Sequence, residues 1–362
     1  MTDHWKGRVS IVSVFALALA GSEVVSQPAT YRVLDVRRWA DDTFEDISGI
    51  VEVDDGVLIS SAATGSIWKV HQNGSRTLMT RGGAVVAPGG LLRLSKDSVI
   101  TYERSAQRFL LLRGSDAPVP APSRFAVTPT DGRIELNNDR FLVTAAGDLA
   151  WSDWTRGAVR AVLRRQRSGS TATDSLTSLS VAPTHVSRSG GIGITMFVPF
   201  TAIDDAAITD AGDLVVVRGE PYRVDLFRRD GRVALGSPTS TLNERVSADD
   251  RARYAATQRR GLQGLQIGGS LVLPQLPDSV WPAQFAPFAP RALRVAPDGT
   301  AWVHVLRSAS AEQTLIDVFT PGAKWRERVA LPKSSRIVGF GATYAYVAVG
   351  DSAVTLHRVP WR

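Results

Sequence analysis

The side chains of this chain that could do chemistry are few. Its histidines are His4, His71, His185, His304 and His357, and its paired aspartates are Asp41-Asp42, Asp54-Asp55, Asp204-Asp205 and Asp249-Asp250. Imidazole and carboxylate together could supply acid–base catalysis or ligate a metal. Their spacing offers no local template for either. No His-x-x-x-His, His-Glu-x-x-His or Gly-x-Ser-x-Gly occurs, so a His-centred triad or multi-His metal site has poor material. Cysteine is absent. That removes disulfides, zinc–thiolate sites, iron–sulfur clusters, cysteine nucleophiles and a lipid anchor on an N-terminal cysteine. Asp54-Asp55-Gly56 is the composition of a hairpin turn. Asp249-Asp250 suit a helix N-terminus. What remains for a catalytic reading is Asp204, Asp205 and His185. The last is followed by Arg188 and Gly190-Gly191 in a stretch rich in Ser, Thr and Gly.

The elements that must position these residues repeat. Six segments share one grammar: a β-rich run, a tight turn, a second β-rich run, a polar loop and an alternating apolar strand. The turns fall at Gly56, Ser98, Gly147, Gly212, Gly299 and Thr343. Most of their spacings match the ~40–50 residues of a four-stranded propeller blade. The longer ones take insertions at 166–200, which lacks strong periodicity, and at 242–290. The second insertion holds a helix signature: Ser247 with Asp250 as a capping box, and Gly261 where a helix should stop. The stretch from Pro274 to Pro290 is too proline-rich for a central strand. The expected fold is all-β: a six-bladed β-propeller with one short helical insertion. Residues 31–36 would close the ring by pairing with the last blade. A β-sandwich or a seven-bladed ring are the alternatives.

Lys6 and Arg8 precede an apolar run, Val9 to Ala20, that ends in Ala18-Leu19-Ala20. This is the layout of a secretory signal peptide, and the run is too short to span a bilayer. Residues 1–20 are therefore expected to be removed by cleavage near Ala20, leaving a tail over 21–30 and the propeller over 31–362. The protein would be periplasmic or extracellular, and not integral to the membrane. A retained anchor is the alternative. The net charge of +7 comes from 42 Lys+Arg against 35 Asp+Glu. Most of the basic residues are arginines, scattered along the chain, with the densest run at Arg160, Arg164, Arg165 and Arg167. A nucleic-acid surface concentrates its charge on a face, so no nucleic-acid partner is expected.

Arg223-Val224-Asp225-Leu226-Phe227-Arg228-Arg229-Asp230-Gly231-Arg232 resembles the R-I-x-V-F-x-x-D-G-x strand of NHL-repeat proteins, as does Arg108-Phe109-Leu110-Leu111-Leu112. Pro297-Asp298-Gly299-Thr300-Ala301-Trp302-Val303, followed by Asp317-Val318-Phe319, fits the same pattern. The resemblance is to secreted six-bladed propellers related to NHL-repeat proteins, and it spans roughly residues 30–362. It implies the fold and is nearly silent on function, since such propellers include binding modules, lyases, lactonases and hydrolases. Lactonase-type members use carboxylates and Asn at the channel mouth. By that resemblance Asp204 and Asp205, which Asn137 and Asn138 could join, are the candidates for a calcium-assisted site, although no spacing identifies one; structural acids are the alternative. No other cofactor is expected.

In a propeller, the loops between second and third strands of each blade collect on one face. Here they carry Glu103, Arg104, Asp153, Trp154, Arg156, Glu220, Tyr222 and Arg307. Arg, Trp and Tyr are the residues that most often anchor interfaces. Arg108 and Arg223 precede repeat strands at equivalent positions and read as structural. The function expected from these features is an exported, non-catalytic platform. It would bind a protein or a small-molecule or polymer ligand through this face, as a peripheral subunit of an envelope assembly. The alternative is a hydrolase or lyase of lactonase or glycosidase type, with its site around Asp204, Asp205 and His185.

Overall fold

The computed structural model of the chain describes residues 31–80, 88–103, 108–113, 117–125, 142–153, 159–189, 192–262, 276–351 and 353–362. The expected signal peptide and tail lie outside the described residues.

Six antiparallel sheets follow one another along the chain. Blade one is Gly49–Val53, Gly56–Ser61, Ser66–His71 and Arg76–Thr80. Blade two is Pro88–Ser95, Ser98–Glu103, Arg108–Arg113 and Val119–Pro120. Blade three is Leu142–Val143, Leu149–Asp153, Arg160–Gln166 and Thr173–Ser180. Blade four is Asp205–Ile208, Leu214–Gly219, Tyr222–Phe227 and Val233–Leu235. Blade five is Phe288–Val295, Ala301–Val305, Gln313–Phe319 and Trp325–Pro332. Blade six is Ser335–Phe340, Tyr344–Val349 and Val354–Pro360, completed by Arg37–Phe44 from the start of the chain. The expected turns at Gly56, Gly147, Gly212 and Gly299 all take positive φ, which a Cβ would oppose.

The core is divided into six layers, each between two adjacent blades. Successive strand residues point to opposite faces, so each middle strand serves two layers. In Ala301–Val305, Ala301 and Val303 pack towards blade four, while Trp302 packs towards blade six. Tyr102 and Trp151 join blades two and three; Ile67 and Leu110 join one and two; Leu163 and Val216 join three and four. Ile50 and Val57 meet Val338 and Leu356 between blades one and six. That last layer closes the ring.

The closing strand differs from the expected one. Residues 32–33 pair in parallel with Val329 and Ala330 of blade five, held by a bidentate bond from Arg32 to Glu327 at 3.0 Å. Ring closure falls to Arg37–Phe44, which pairs with Val354–Pro360. The reason is burial: Ala40 and Phe44 enter the layer between blades six and one, whereas Val33 is 65% exposed.

The segment 166–200 is also corrected. Much of it is strand: Thr173–Ser180 is the outer strand of blade three, and Thr184–Ser189 with Ile192–Phe197 forms a separate hairpin. A bulge hides the period. Leu163 pairs with Thr177 and Arg164 with Ser175, so Leu176 is the extra residue. Leu176 and Leu179 then pack in one layer although three apart.

The helix of the second insertion, Ala248–Leu262, starts with the expected capping box. Asp250 N donates to Ser247 Oγ at 3.2 Å, and Ser247 N donates to Asp250 Oδ2 at 3.0 Å. The helix runs through Gly261 to Leu262, past the expected stop. Pro290 lies inside the first strand of blade five, where the register breaks between Phe288 and Leu293 and tolerates it. Ser247→Ala should cost about 1 kcal/mol locally. Amide exchange over the first turns of the helix should accelerate roughly fivefold; unchanged exchange would show that the cap does not hold the helix. Among the described residues no helix is long and apolar enough to cross a membrane.

Candidate functional site

The first strands of all six blades surround a central cavity of about 630 Å³, with Ile50, Leu92, Val143, Ile208, Arg294 and Ile337 each contributed by a different blade. The wall is mixed: aliphatic side chains such as Ile50, Leu92, Val143, Ile208 and Ile337 alternate with polar and charged groups. Among the described residues, the charged and imidazole groups in it are Asp46, Arg291, Arg294, His304 and Arg336.

The Asp204-Asp205 pair sits at the start of blade four and lines a smaller cavity of about 100 Å³. Both carboxylates are occupied by protein donors. Asp204 Oδ2 accepts from Ser180 N at 2.9 Å and Arg218 Nη1 at 2.8 Å, and its Oδ1 accepts from Gly219 N at 3.0 Å. Asp205 Oδ2 accepts from Leu293 N at 3.0 Å and so ties blade four to blade five. A calcium ion here would have to displace these donors beside the guanidinium of Arg218. The pair as arranged fits a blade-joining role and does not fit a cation site; Asn137 and Asn138 lie outside the described residues. Among the described residues no cluster of three His, Asp or Glu could hold a metal. His185 pairs with Met196 in the separate hairpin. It is absent from the walls of both cavities, so the structure does not assemble the expected triplet around either.

The loop-face residues are mostly engaged. Glu103 is buried and accepts from Arg108 Nε at 2.8 Å. Asp153 accepts from Arg164 Nε at 2.6 Å. Arg307 Nε donates to Glu244 Oε1 at 2.8 Å. Glu220 is exposed. Tyr222 is a correction: it is buried against Phe288 and Phe319 and donates to Asp317 Oδ2 at 2.9 Å. Burial, reinforced by the Asp317 charge, pushes its phenol well above the ordinary range. Alternation dictates this, since Tyr222 shares its strand face with buried Val224 and Leu226. Arg104, Trp154 and Arg156 lie outside the described residues. Arg223 bonds Asp225 at 2.8 Å, so it and Arg108 each bind a carboxylate within their own blade.

The groups that do converge on the channel were not singled out by sequence. His304 lies on the face of blade five that carries Trp302 and looks towards blade six. Burial, then the charges of Arg294 and Arg336, lower its imidazole to about 4. It is therefore a neutral donor and acceptor at pH 7. Burial also lowers Arg336, opposed by the charges of Asp46 and Asp351. The only signal in the sequence was the alternation that places His304 beside Trp302, and it names no neighbour.

No family model matches the sequence, and no curated protein matches it. Solved structures do. Regucalcin from Agrobacterium tumefaciens, described as a calcium-binding protein, aligns at 11% identity over 92% of this chain and 98% of its own, with a TM-score of 0.51. The chain is a six-bladed β-propeller. A virginiamycin B lyase from Staphylococcus aureus (12% identity, 91% and 99% covered, TM-score 0.42) and a gluconolactonase from Xanthomonas campestris (10%, 93% and 99%, 0.44) are further matches. At such identities the likeness is one of fold, and the chemistry of this propeller must be argued from its own residues.

Proposed function

We propose that this propeller is a non-catalytic binding protein that receives its ligand in the central channel. It would work in the periplasm or outside the cell, given the basic start and short apolar run of residues 1–20, and could serve there as the rigid platform of a larger assembly. The observation that supports this is the channel itself. Its volume falls in the range of small-molecule sites, while the mouth carboxylates that chemistry would need are spent on protein donors.

A plug tests it. Gly90 lines the channel, and a Cβ built there meets nothing within 4 Å. Gly90→Trp should therefore obstruct the channel without breaking blade two. In a thermal-shift screen of small molecules, ligands should raise the Tm of the native protein by several degrees and leave Gly90→Trp unmoved. Hits that raise both equally would place binding elsewhere. Turnover of any lactone or ester in a parallel panel would replace this reading with an enzymatic one.

A further inference from the structure

Arg336 is partly buried in the channel wall, yet its side chain makes no hydrogen bond or ion pair with any described residue. This sets it apart from the arginines of the loop face. Arg108, Arg164, Arg218 and Arg307 each hold a carboxylate between 2.6 and 2.9 Å. Two carboxylates lie within electrostatic reach of Arg336, and neither bonds it. Asp46 is spent on Ser61 Oγ and on the backbone N–H groups of Ala62 and Ala63. Asp351 is exposed. A guanidinium carries five donors in a planar fork matched to carboxylate or phosphate. Withdrawing it from water without a partner is costly, so a partly buried fork facing a cavity is complementary to an anion.

Two neighbours share the wall. The imidazole of His304 likewise makes no hydrogen bond with the described residues, and it feels the charges of Arg294 and Arg336. Arg294 Nη1 donates to the carbonyls of Leu293 at 2.8 Å and Arg291 at 3.1 Å, which fixes its stem along the wall. Among the described wall residues three guanidiniums face a single carboxylate. Aliphatic side chains stand beside these charges, with Ile50, Leu92, Ile208 and Ile337 from four blades.

We infer that the channel takes an organic anion with an apolar body, its charged head held by Arg336 with Arg294 and His304 and its body packed against Ile50, Leu92, Ile208 and Ile337. This deepens the channel-binding reading and rests on it. Carboxylate and phosphate heads share the required chemistry, so the test separates them. It also carries a neutral control of the same length.

Calorimetric titration of the full chain with octanoate, octyl phosphate and octanol provides that test. Both anions should bind at least tenfold more tightly than octanol, and the stronger of the two names the head. Raising the salt concentration should weaken the anions and spare octanol. Arg336→Met keeps most of the aliphatic stem and should weaken the anions about tenfold without affecting octanol. Gly90→Trp should abolish all three. Octanol binding as tightly as the anions, with Gly90→Trp abolishing both, would overturn the anion site and leave the channel reading standing. Anion binding that survives Gly90→Trp, or no binding of either anion, also overturns the anion site; the channel reading is then judged by its own ligand screen. Should Arg336→Met fail to fold, the anion-to-octanol ratio and its salt dependence in the native protein decide the matter.

Discussion

Asp317→Ala should destabilise the propeller by about 3–5 kcal/mol, because it strands a buried guanidinium and a buried phenol together. Asp317 is completely buried. Arg328 grips it through Nε at 2.7 Å and Nη2 at 2.8 Å, Trp325 Nε1 donates at 3.2 Å, and Tyr222 Oη donates at 2.9 Å from blade four. One carboxylate thus satisfies its own blade and its neighbour. Urea unfolding is the measurement. Tyr222→Phe removes the inter-blade bond alone and should cost about 1.5–3 kcal/mol, the range for a hydrogen bond to a charged group. Pairing Asp317→Leu with Arg328→Met should recover part of the loss, since an apolar replacement no longer strands a charge. A loss below about 1 kcal/mol for Asp317→Ala would mean that the network is a bystander. Asp225 holds the equivalent place in blade four, completely buried between Arg218 at 2.9 Å and Arg223 at 2.8 Å. The same Asp in two repeat strands is therefore a structural device of this chain.

Acid should weaken the fold in a window that belongs to His304. Its ordinary value is 6.5, and burial, then Arg294 and Arg336, lower it to about 4 in the folded state. Between those values the unfolded chain binds more protons than the folded one, so stability rises with pH there. The contribution is complete above about pH 6.5 and is lost as pH falls to about 4, a swing of about 3 kcal/mol. His357, lowered by burial and then by Arg38, acts in the same sense. The comparison must therefore be between the native protein and His304→Gln. Urea unfolding at successive pH values should show the native protein losing stability relative to the variant only within this window. Carboxylates such as Glu327, lowered by its hydrogen bond with Arg32, lose their contribution only further into acid. A difference between the two proteins that stays flat from about pH 7 to 4 would show that His304 is solvated. An anion bound at Arg336 should raise the His304 value and narrow the window.

Local chemistry alone determined much of this protein. Tight turns need residues that tolerate positive φ, so Gly56, Gly147, Gly212 and Gly299 mark the blades by residue type and spacing alone. The capping box needs only residues three apart, so Ser247 and Asp250 declare the helix start. Six such repeats, each with an apolar face it cannot bury alone, determine a ring of blades. Other features depend on which surface comes to lie beside which, and only the tertiary structure decided them. Ring closure fell to Arg37–Phe44 because Ala40 and Phe44 find a layer to enter. Bulging at Leu176 turned an apparently aperiodic stretch into a blade strand. Tyr222 turned inward because blade five places Asp317 against it. Asp204 and Asp205, the acids best placed for chemistry by sequence, became the joints that hold blade four to blade three and blade five. His304, Arg294 and Arg336 share a wall because blades five and six are adjacent around one channel. Alternation tells a side chain which face of its strand it occupies; only closure of the ring tells it what stands opposite.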